Sequence, residues 1–229
     1  WTFRDGQIRI YLNTKMKKNK IINLAKKTLS TEISGIKTIS KIFNNNFQNA
    51  VKTIFNTKGR VIVTGIGKSA HIGNKIAATL SSTGTPSLFL HPSEAQHGDL
   101  GIIQENDVLL LISNSGKTRE ILELNHLVKN LYSSIPMIAL TGNEEGDLAT
   151  LADICLFTGN PEEVCPLGLT PTTSTTVMTV VGDILVVSIT ADKFVNKGPG
   201  RPAFNEKLRL EGIASLESVD YVALNTTPT

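Results

Sequence analysis

Near the middle of the chain runs Val108-Leu109-Leu110-Leu111-Ile112-Ser113-Asn114-Ser115-Gly116-Lys117-Thr118, an aliphatic block followed by small polar residues. An unbroken aliphatic run of this length predicts a strand that is buried on both faces, as inside a parallel sheet. From Lys117 onward, apolar residues recur at helical spacing, namely Ile121, Leu124, Leu127, Val128 and Leu131. The pattern therefore predicts a buried strand, a short polar loop and a helix.

The polar loop between this strand and its helix is suited to a phosphate group. The start of a helix offers unpaired backbone N–H groups and the positive end of the helix dipole. Ser113, Ser115 and Thr118 add hydroxyl donors. The same residues would also serve as a simple helix cap and turn, where Ser, Asn and Gly are common. A nucleotide-binding P-loop is excluded, because Leu111 stands where that motif needs a glycine.

Length and composition favour one ordinary soluble domain. The chain has 229 residues, of which 40% are hydrophobic and 19% charged, enough for a well-buried core. A net charge of +3 is too small to indicate nucleic-acid binding, and the lysines near the start are interpreted as a solvated helix face. The two cysteines form no disulfide framework, which favours the cytoplasm. We expect neither a membrane span nor a signal peptide.

Two helical segments precede an alternation of strands and helices. Residues 1–15 lack a clear period and are expected to be an upstream segment before a natural start at Met16. A long helix is predicted over 21–43, broken by Asn44-Asn45-Asn46, and a second follows to Gly59. Strands are then predicted at 60–64, 87–90, 108–112, 136–140 and 154–157, with helices at 70–82, 117–131 and 173–192 and a short helix capped by Asp147. The order predicts a three-layer αβα sandwich with a five-stranded parallel sheet.

The chemically active residues follow the carboxyl ends of these strands, where such sheets bind ligands. The first strand runs into Gly65-Ile66-Gly67-Lys68-Ser69-Ala70, which matches the glycine pattern of a dinucleotide-binding turn. That interpretation is disfavoured, because His91-Pro92 stands where the ribose-binding acid is needed. Lys68 is suited to polarise a sugar oxygen, or else faces solvent as an early helix residue.

Several acids and histidines are candidates for proton transfer. Glu94, His97 and Asp99 lie in 92–101, a loop without a helical period, while Glu120 falls in a first helical turn and Glu163 in the last loop beside Glu162. We expect no metal, because neither H-E-x-x-H nor C-x-x-C spacing occurs. His71 and His126 lie on helical stretches and are interpreted as packing or surface residues. His97 and Glu163 have the right chemistry for a general acid or base.

Taken together, the motifs resemble those of a family of sugar isomerase (SIS) domains. They are Gly65-Ile66-Gly67-Lys68-Ser69, His97-Gly98-Asp99-Leu100-Gly101, Ser113-Asn114-Ser115-Gly116, Cys165-Pro166-Leu167-Gly168-Leu169 and Pro171-Thr172-Thr173-Ser174-Thr175-Thr176. Among SIS domains the chain most resembles the D-arabinose-5-phosphate isomerases of lipopolysaccharide biosynthesis, over residues 21–195. The segment from Cys165 and the Thr/Ser run after it are particular to that branch.

The resemblance implies interconversion of D-ribulose 5-phosphate and D-arabinose 5-phosphate through an enediol, which supplies the acid sugar Kdo without any cofactor. It implies that Lys68, Glu120 and Glu163 are catalytic. Our hypothesis is that Lys68 polarises an oxygen, Glu163 transfers the proton and Glu120 orients the other two. The residues that it implies for substrate and phosphate binding are Gly67, Ser69, Ser113, Asn114, Ser115, Gly116, Thr118, Thr172, Thr173, Ser174 and Thr175.

The chain departs from this family in two places. It stops before the paired CBS modules of many members, so residues 16–196 are expected to form one SIS domain and 197–229 a divergent segment, with a helix near 205–216. The family also carries a histidine, donated to a neighbouring subunit, where this chain reads Lys197-Gly198-Pro199-Gly200-Arg201-Pro202-Ala203-Phe204. Either His97 takes over its work or the activity is impaired.

The resemblance also implies a homodimer or homotetramer whose sites are shared between subunits, with the N-terminal helix at the interface. A non-catalytic phosphosugar-binding module that regulates a partner stays open as the alternative. We expect no DNA-binding helix-turn-helix, so a transcriptional sensor of the usual kind is disfavoured. Feedback inhibition by a downstream Kdo derivative is a further hypothesis.

Overall fold

The structure, a computed structural model, describes residues 2–4, 7–9, 18–165 and 167–189. The strands are β1 (Thr2–Arg4), β2 (Gln7–Arg9), β3 (Val61–Gly65), β4 (Ser87–Phe89), β5 (Val108–Ile112), β6 (Met137–Thr141) and β7 (Ile154–Phe157). The helices are α1 (Lys18–Lys37), α2 (Asn45–Asn56), α3 (Lys68–Ser82), α4 (Pro92–Gln96), α5 (Arg119–Leu131), α6 (Asp147–Leu151) and α7 (Thr173–Ile189), with 3-10 turns at Thr38–Ile42 and Asp99–Ile102. The short strands β1 and β2 pair antiparallel.

The predicted buried strand, β5, lies at the centre of a parallel sheet. The strand order is β4-β3-β5-β6-β7, so the expected five-stranded sheet is confirmed. Gly65 pairs with Ile112, and Ile112 pairs with Leu140 on the other side. Because the strands are parallel, their carboxyl ends meet at one edge, and the loops that leave β3, β5, β6 and β7 are neighbours there.

Helices cover both faces of this sheet, as the strand pattern requires. Alternate side chains such as Val63, Leu110 and Ile112 pack against α2, α3 and α7 in one core cluster. Their neighbours, including Ile62, Leu109 and Leu111, pack against α4 and α5 in the other. Strands buried on both faces read as continuous aliphatic runs, so the three-layer sandwich could be recognised from sequence. Among the described residues, no helix combines the length and hydropathy needed to cross a bilayer.

The N-terminal helix α1 packs directly against α7. Gly35 allows this close approach, because a Cβ at this position would collide with the methyl group of Thr173 and touch Pro161 and Val177. Thr173 begins α7, and Pro161 belongs to the loop that leads to it. The helix expected only as an N-terminal preface is therefore placed beside the start of the last helix.

The boundary between the two N-terminal helices differs in detail from the expectation. The first helix ends at Lys37 and continues as a 3-10 turn, rather than running as one helix to residue 43. The asparagine run, which was expected to end that helix, instead begins the next one. Asn44 is the N-cap of α2, and its Oδ1 accepts hydrogen bonds from the N–H groups of Asn46 and Phe47, at 2.9 and 3.3 Å.

Two local expectations were wrong. The connection 92–101 was expected to lack helix but contains α4 and a 3-10 turn, because Pro92 is well tolerated at a first helical position. Asp147 was expected to cap α6 but is its first residue, with Gly146 at the cap position. The expected segments 197–204 and 205–216, residues 190–192 and Pro166 lie outside the described residues.

Candidate active site

The turn after β3 presents Lys68 at the carboxyl edge of the sheet. Gly67 has a left-handed φ of 60° and occupies the cap position of α3. Lys68 is the first residue of that helix and is exposed, while Ser69 is half-buried. Its position satisfies both interpretations left open by the sequence, since a side chain at the first helical position can face solvent and still reach a ligand at this edge.

The loop after β5 is shaped by its own hydrogen bonds. The hydroxyl groups of Ser113 and Thr118 lie 2.7 Å apart, and Ser113 is only 2% exposed. Thr118 is the N-cap of α5 but makes no side-chain capping bond to the first turn. The hydroxyl groups therefore close the loop on itself and leave the helix start without a side-chain cap, which suits an anion.

Gly116 fixes the shape of this loop, which we call the phosphate loop (113–118) after the ligand that the sequence predicts for it. Its φ is +63°, and a Cβ here would lie 3.2 Å from both the Cα of Gly146 and the Oγ1 of Thr141. The neighbouring loop and α6 support it, because the Nδ2 of Asn143 donates to the Ser115 carbonyl at 2.9 Å and the Leu148 N–H to the Gly116 carbonyl at 3.0 Å. An open cavity of about 600 Å³ lies beside the two loops.

Glu163 is held by the residue immediately before α7. Its Oε2 accepts hydrogen bonds from the N–H and the hydroxyl of Thr172, both at 2.7 Å. The same hydroxyl accepts a bond from the N–H of Val164 at 3.0 Å. All these bonds run to Thr172, which fixes the Glu163 carboxylate relative to the helix start.

The surroundings of Glu163 keep it ionised. Partial burial acts to raise the pKa of Glu163, but the nearby polar groups of Ser174 and Thr172 outweigh burial and lower that pKa below its ordinary value of 4.5. The residue therefore carries a carboxylate at neutral pH, the protonation state that a general base requires.

The sheet topology gathers the predicted site residues at one edge. Lys68 follows β3, His97 ends α4 after β4, and Glu120 lies half-buried in the first turn of α5. Hydrogen bonds between two side chains join two pairs of the predicted residues, Ser113 with Thr118 and Glu163 with Thr172. The other predicted binding residues lie at the start of α3, in the loop between β5 and α5, and in the first turn of α7. They are Gly67 and Ser69, then Asn114, Ser115 and Gly116, then Thr173, Ser174 and Thr175.

One acid near this site was not identified from the sequence. Glu32, on α1, accepts a hydrogen bond from the hydroxyl of Thr173 at 3.3 Å. His71 and His126 are exposed on α3 and α5, as expected for surface residues. Within the described ranges, no group of three or more His, Cys, Asp or Glu side chains is arranged to bind a metal ion.

The two cysteines should differ sharply in reactivity. Hydrogen bonds from the main chain of Leu167 and Thr170, the side chain of Thr170 and the main chain of Leu169 lower the pKa of Cys165 to about 7. Burial, assisted by the charge of Glu144, raises the pKa of Cys155. Because the thiolate is the nucleophile, the rate at which iodoacetamide modifies Cys165 should rise with pH with a midpoint at about pH 7, while Cys155 should stay largely unmodified.

Peptide mass spectrometry across about pH 6 to 9 measures both rates. A Cys165→Ser variant provides the control, since it should lose the fast phase only. Equal rates at the two thiols, or a midpoint for Cys165 near the ordinary value, would contradict the described hydrogen bonds.

The fold defines a three-layer αβα domain built on a parallel sheet, and comparison with known proteins agrees. The family model for the SIS domain matches residues 53–188. The chain belongs to the SIS domain family.

The chain is also similar in sequence to particular members of this family. The arabinose 5-phosphate isomerase KdsD of Pseudomonas aeruginosa is 45% identical over 185 residues, covering 78% of this chain and 56% of the relative. KdsD of Escherichia coli K12 is 44% identical over 191 residues, covering 81% and 57%. This chain thus spans a little over half the length of these curated relatives.

Two solved structures share the fold. Escherichia coli CFT073 c3406 in complex with arabinose 5-phosphate is 36% identical with a TM-score of 0.73, covering 80% of this chain and 96% of that one. A candidate phosphosugar isomerase involved in capsule formation from Bacteroides fragilis is 52% identical with a TM-score of 0.70, covering 74% and 89%. The resemblance to SIS domains stated from the motifs is confirmed.

Proposed function

We propose that this chain is an aldose–ketose isomerase that interconverts D-ribulose 5-phosphate and D-arabinose 5-phosphate. The identity of 44–45% to KdsD arabinose 5-phosphate isomerases over about four fifths of the chain carries the proposal. The likeness to a structure in complex with arabinose 5-phosphate supports the same substrate. The product would supply Kdo for lipopolysaccharide in the cytoplasm, and residues 16–196 would form the single catalytic domain.

The phosphate is proposed to bind in the phosphate loop. Its hydroxyl groups, its main-chain N–H groups and the positive end of the α5 dipole favour a small dianion. Gly67 and Ser69 add donors from the turn after β3. On the opposite side, the N–H and hydroxyl of Thr172 are already engaged by Glu163, so the segment 172–175 contributes chiefly by holding that carboxylate.

The reaction then needs one proton to move between adjacent carbons of the open-chain sugar. Glu163 removes a proton from C1 of the ketose while the C2 oxygen gains one, which gives the enediol. Return of a proton to C2 and loss of the O1 proton produce the aldose, so the atoms balance without an external oxidant. Lys68 stabilises negative charge on the sugar oxygens, and Glu120 orients these groups. His97 is proposed to assist ring opening in place of the histidine missing from 197–204.

Turnover in deuterated water tests this function. Incubation with D-ribulose 5-phosphate should yield D-arabinose 5-phosphate that carries deuterium at C2, because the transferred proton exchanges with solvent on the carboxylate. Proton NMR detects both the product and the label. Binding of the sugar phosphate without conversion would refute the isomerase and favour the regulatory alternative.

Added Kdo or its nucleotide conjugate, assayed by competition, tests the proposed feedback inhibition.

Self-association is the second part of the proposal, as a homodimer or homotetramer with shared sites. Apolar side chains along α1 remain exposed, including Ile21 at 52%, Leu24 at 56% and Leu29 at 61%. An apolar stripe on one helix favours burial against another copy of the chain. We expect light scattering to show an oligomer that Leu24→Glu with Leu29→Glu converts to monomer.

A matched control is Asn23→Glu with Ser30→Glu, which adds the same two negative charges at exposed, neutral polar positions of α1. This control should remain oligomeric. A wild-type monomer at working concentration would contradict the proposal.

A further inference from the structure

Glu32 is an unusual acid in this sequence. It is the only Asp or Glu between Asp5 and Glu94, and it lies on a helix rich in lysine. A carboxylate in such a helix would ordinarily face solvent among the lysines. Instead Glu32 is half-buried against the start of α7.

Its contacts connect it to the carboxylate that the proposed reaction uses. Glu32 Oε1 accepts a hydrogen bond from the hydroxyl of Thr173, which is fully buried. The adjacent residue, Thr172, donates its N–H and its hydroxyl to Glu163. Two carboxylates from distant parts of the chain are therefore attached to consecutive residues at one helix start.

The close packing of α1 at this point leaves little freedom for the connection. Gly35, one turn after Glu32, brings the helix backbone against Thr173 and Pro161. Pro161 lies two residues before Glu163. The same face of α1 therefore contacts both the helix start and the loop that carry the proposed base.

Stability alone does not account for Glu32. Its Oε2 is buried without a hydrogen-bond partner among the described residues. A buried carboxylate oxygen without a donor is unfavourable, and alanine is a better helix former than glutamate. Residues that oppose stability are characteristic of functional sites.

We propose that Glu32 is a positioning residue for the isomerase: by holding Thr173 it fixes the first turn of α7, and through Thr172 the orientation of the Glu163 carboxylate. This inference rests on the proposed function. Small displacements of a catalytic group are costly, since about 1 Å can reduce the rate by two orders of magnitude.

Three variants test the role. Glu32→Ala removes the acceptor, and should lower kcat by about tenfold with KM within about twofold and a melting temperature no lower than that of the wild type. Glu32→Gln retains an acceptor oxygen and should restore most of kcat. Ser34→Ala, an exposed position on the same helix, serves as the control and should match the wild type.

The outcomes separate this inference from the proposed function. If the wild type turns over and Glu32→Ala keeps the wild-type kcat, the positioning role is wrong while the function stands. A Glu32→Gln variant as slow as Glu32→Ala would also overturn it, because charge rather than the hydrogen bond would then matter.

A measurement without substrate covers the case in which the wild type is inactive. The N–H of Thr176 donates to the Thr172 carbonyl at 3.0 Å and so reports on the first turn of α7. Its hydrogen exchange should accelerate in Glu32→Ala and stay unchanged in Ser34→Ala. Unchanged exchange in both variants would overturn the inference whatever the function.

Discussion

Replacing Glu163 with glutamine is expected to lower kcat by about 1000-fold, within the range that a general base contributes. Glutamine keeps the size of the side chain and an oxygen that can accept the hydrogen bonds from Thr172, so the loop before α7 should remain folded. Only the capacity to accept a proton is lost. The Kd for D-arabinose 5-phosphate should therefore stay within about threefold of the wild-type value, since uniform binding is unaffected.

The matched control for this prediction is Glu162→Gln. It changes the same charge one residue earlier, at an exposed side chain, and should leave kcat unaffected. The pH dependence provides a second check: because the pKa of Glu163 is lowered, the base stays ionised and the acid limb of the kcat profile should lie below the ordinary carboxyl pKa of 4.5. A Glu163→Gln enzyme with near-normal turnover would eliminate Glu163 as the base.

Replacing Thr118 with valine is expected to raise KM for the sugar phosphate by about 10- to 100-fold, with a smaller effect on kcat. Valine has nearly the same shape, but it removes one hydroxyl donor and leaves the Ser113 hydroxyl without its partner at 2.7 Å. The helix should not suffer, because Thr118 has an extended backbone and makes no side-chain capping bond.

Unphosphorylated D-ribulose distinguishes a phosphate contact from general damage. The wild type and Thr118→Val should bind or convert this neutral sugar equally poorly, because the sugar has no phosphate for residue 118 to contact. If valine raised KM for both sugars by the same factor, or left KM for the phosphorylated sugar unchanged, the Thr118 hydroxyl would not bind the phosphate.

The sheet could be predicted from sequence because its strands are buried on both faces. The aliphatic run at Val108–Ile112 coincides with β5, and Ile154–Phe157 coincides with β7. A strand that is buried on both faces needs apolar residues at every position, so it can be recognised from its own sequence. Once the strands are placed in a parallel sheet, topology brings Lys68 and the phosphate loop to the same edge.

Short elements were harder to predict, because a few local hydrogen bonds decide them. The α4 helix comprises only residues 92–96, too few for an apolar period to develop. The N-cap role of Asn44 depends on its side chain folding back on two N–H groups. An asparagine run predicts a break in a helix equally well, so the sequence does not distinguish the two.

The arrangement around Glu163 could be predicted only in part. The motifs indicate the residue, but not that Thr172 holds it, since a bond across nine residues leaves no periodic signal. Glu32 was missed for the same reason, because 141 residues separate it from Thr173. The sequence shows Glu32 as a single acid among lysines, but only the packing of α1 against α7 shows which residue it contacts.

The central claim is that the phosphate loop anchors the substrate and directs its carbon end to Glu163 and Lys68. A crystal structure of the Glu163→Gln variant with D-arabinose 5-phosphate tests it most directly, since the substrate should bind without reacting. We predict phosphate oxygens within hydrogen-bonding distance of Ser113, Ser115 or Thr118, and C1 and C2 beside residue 163. A phosphate bound elsewhere, with the 113–118 loop closed by packing, would contradict the account.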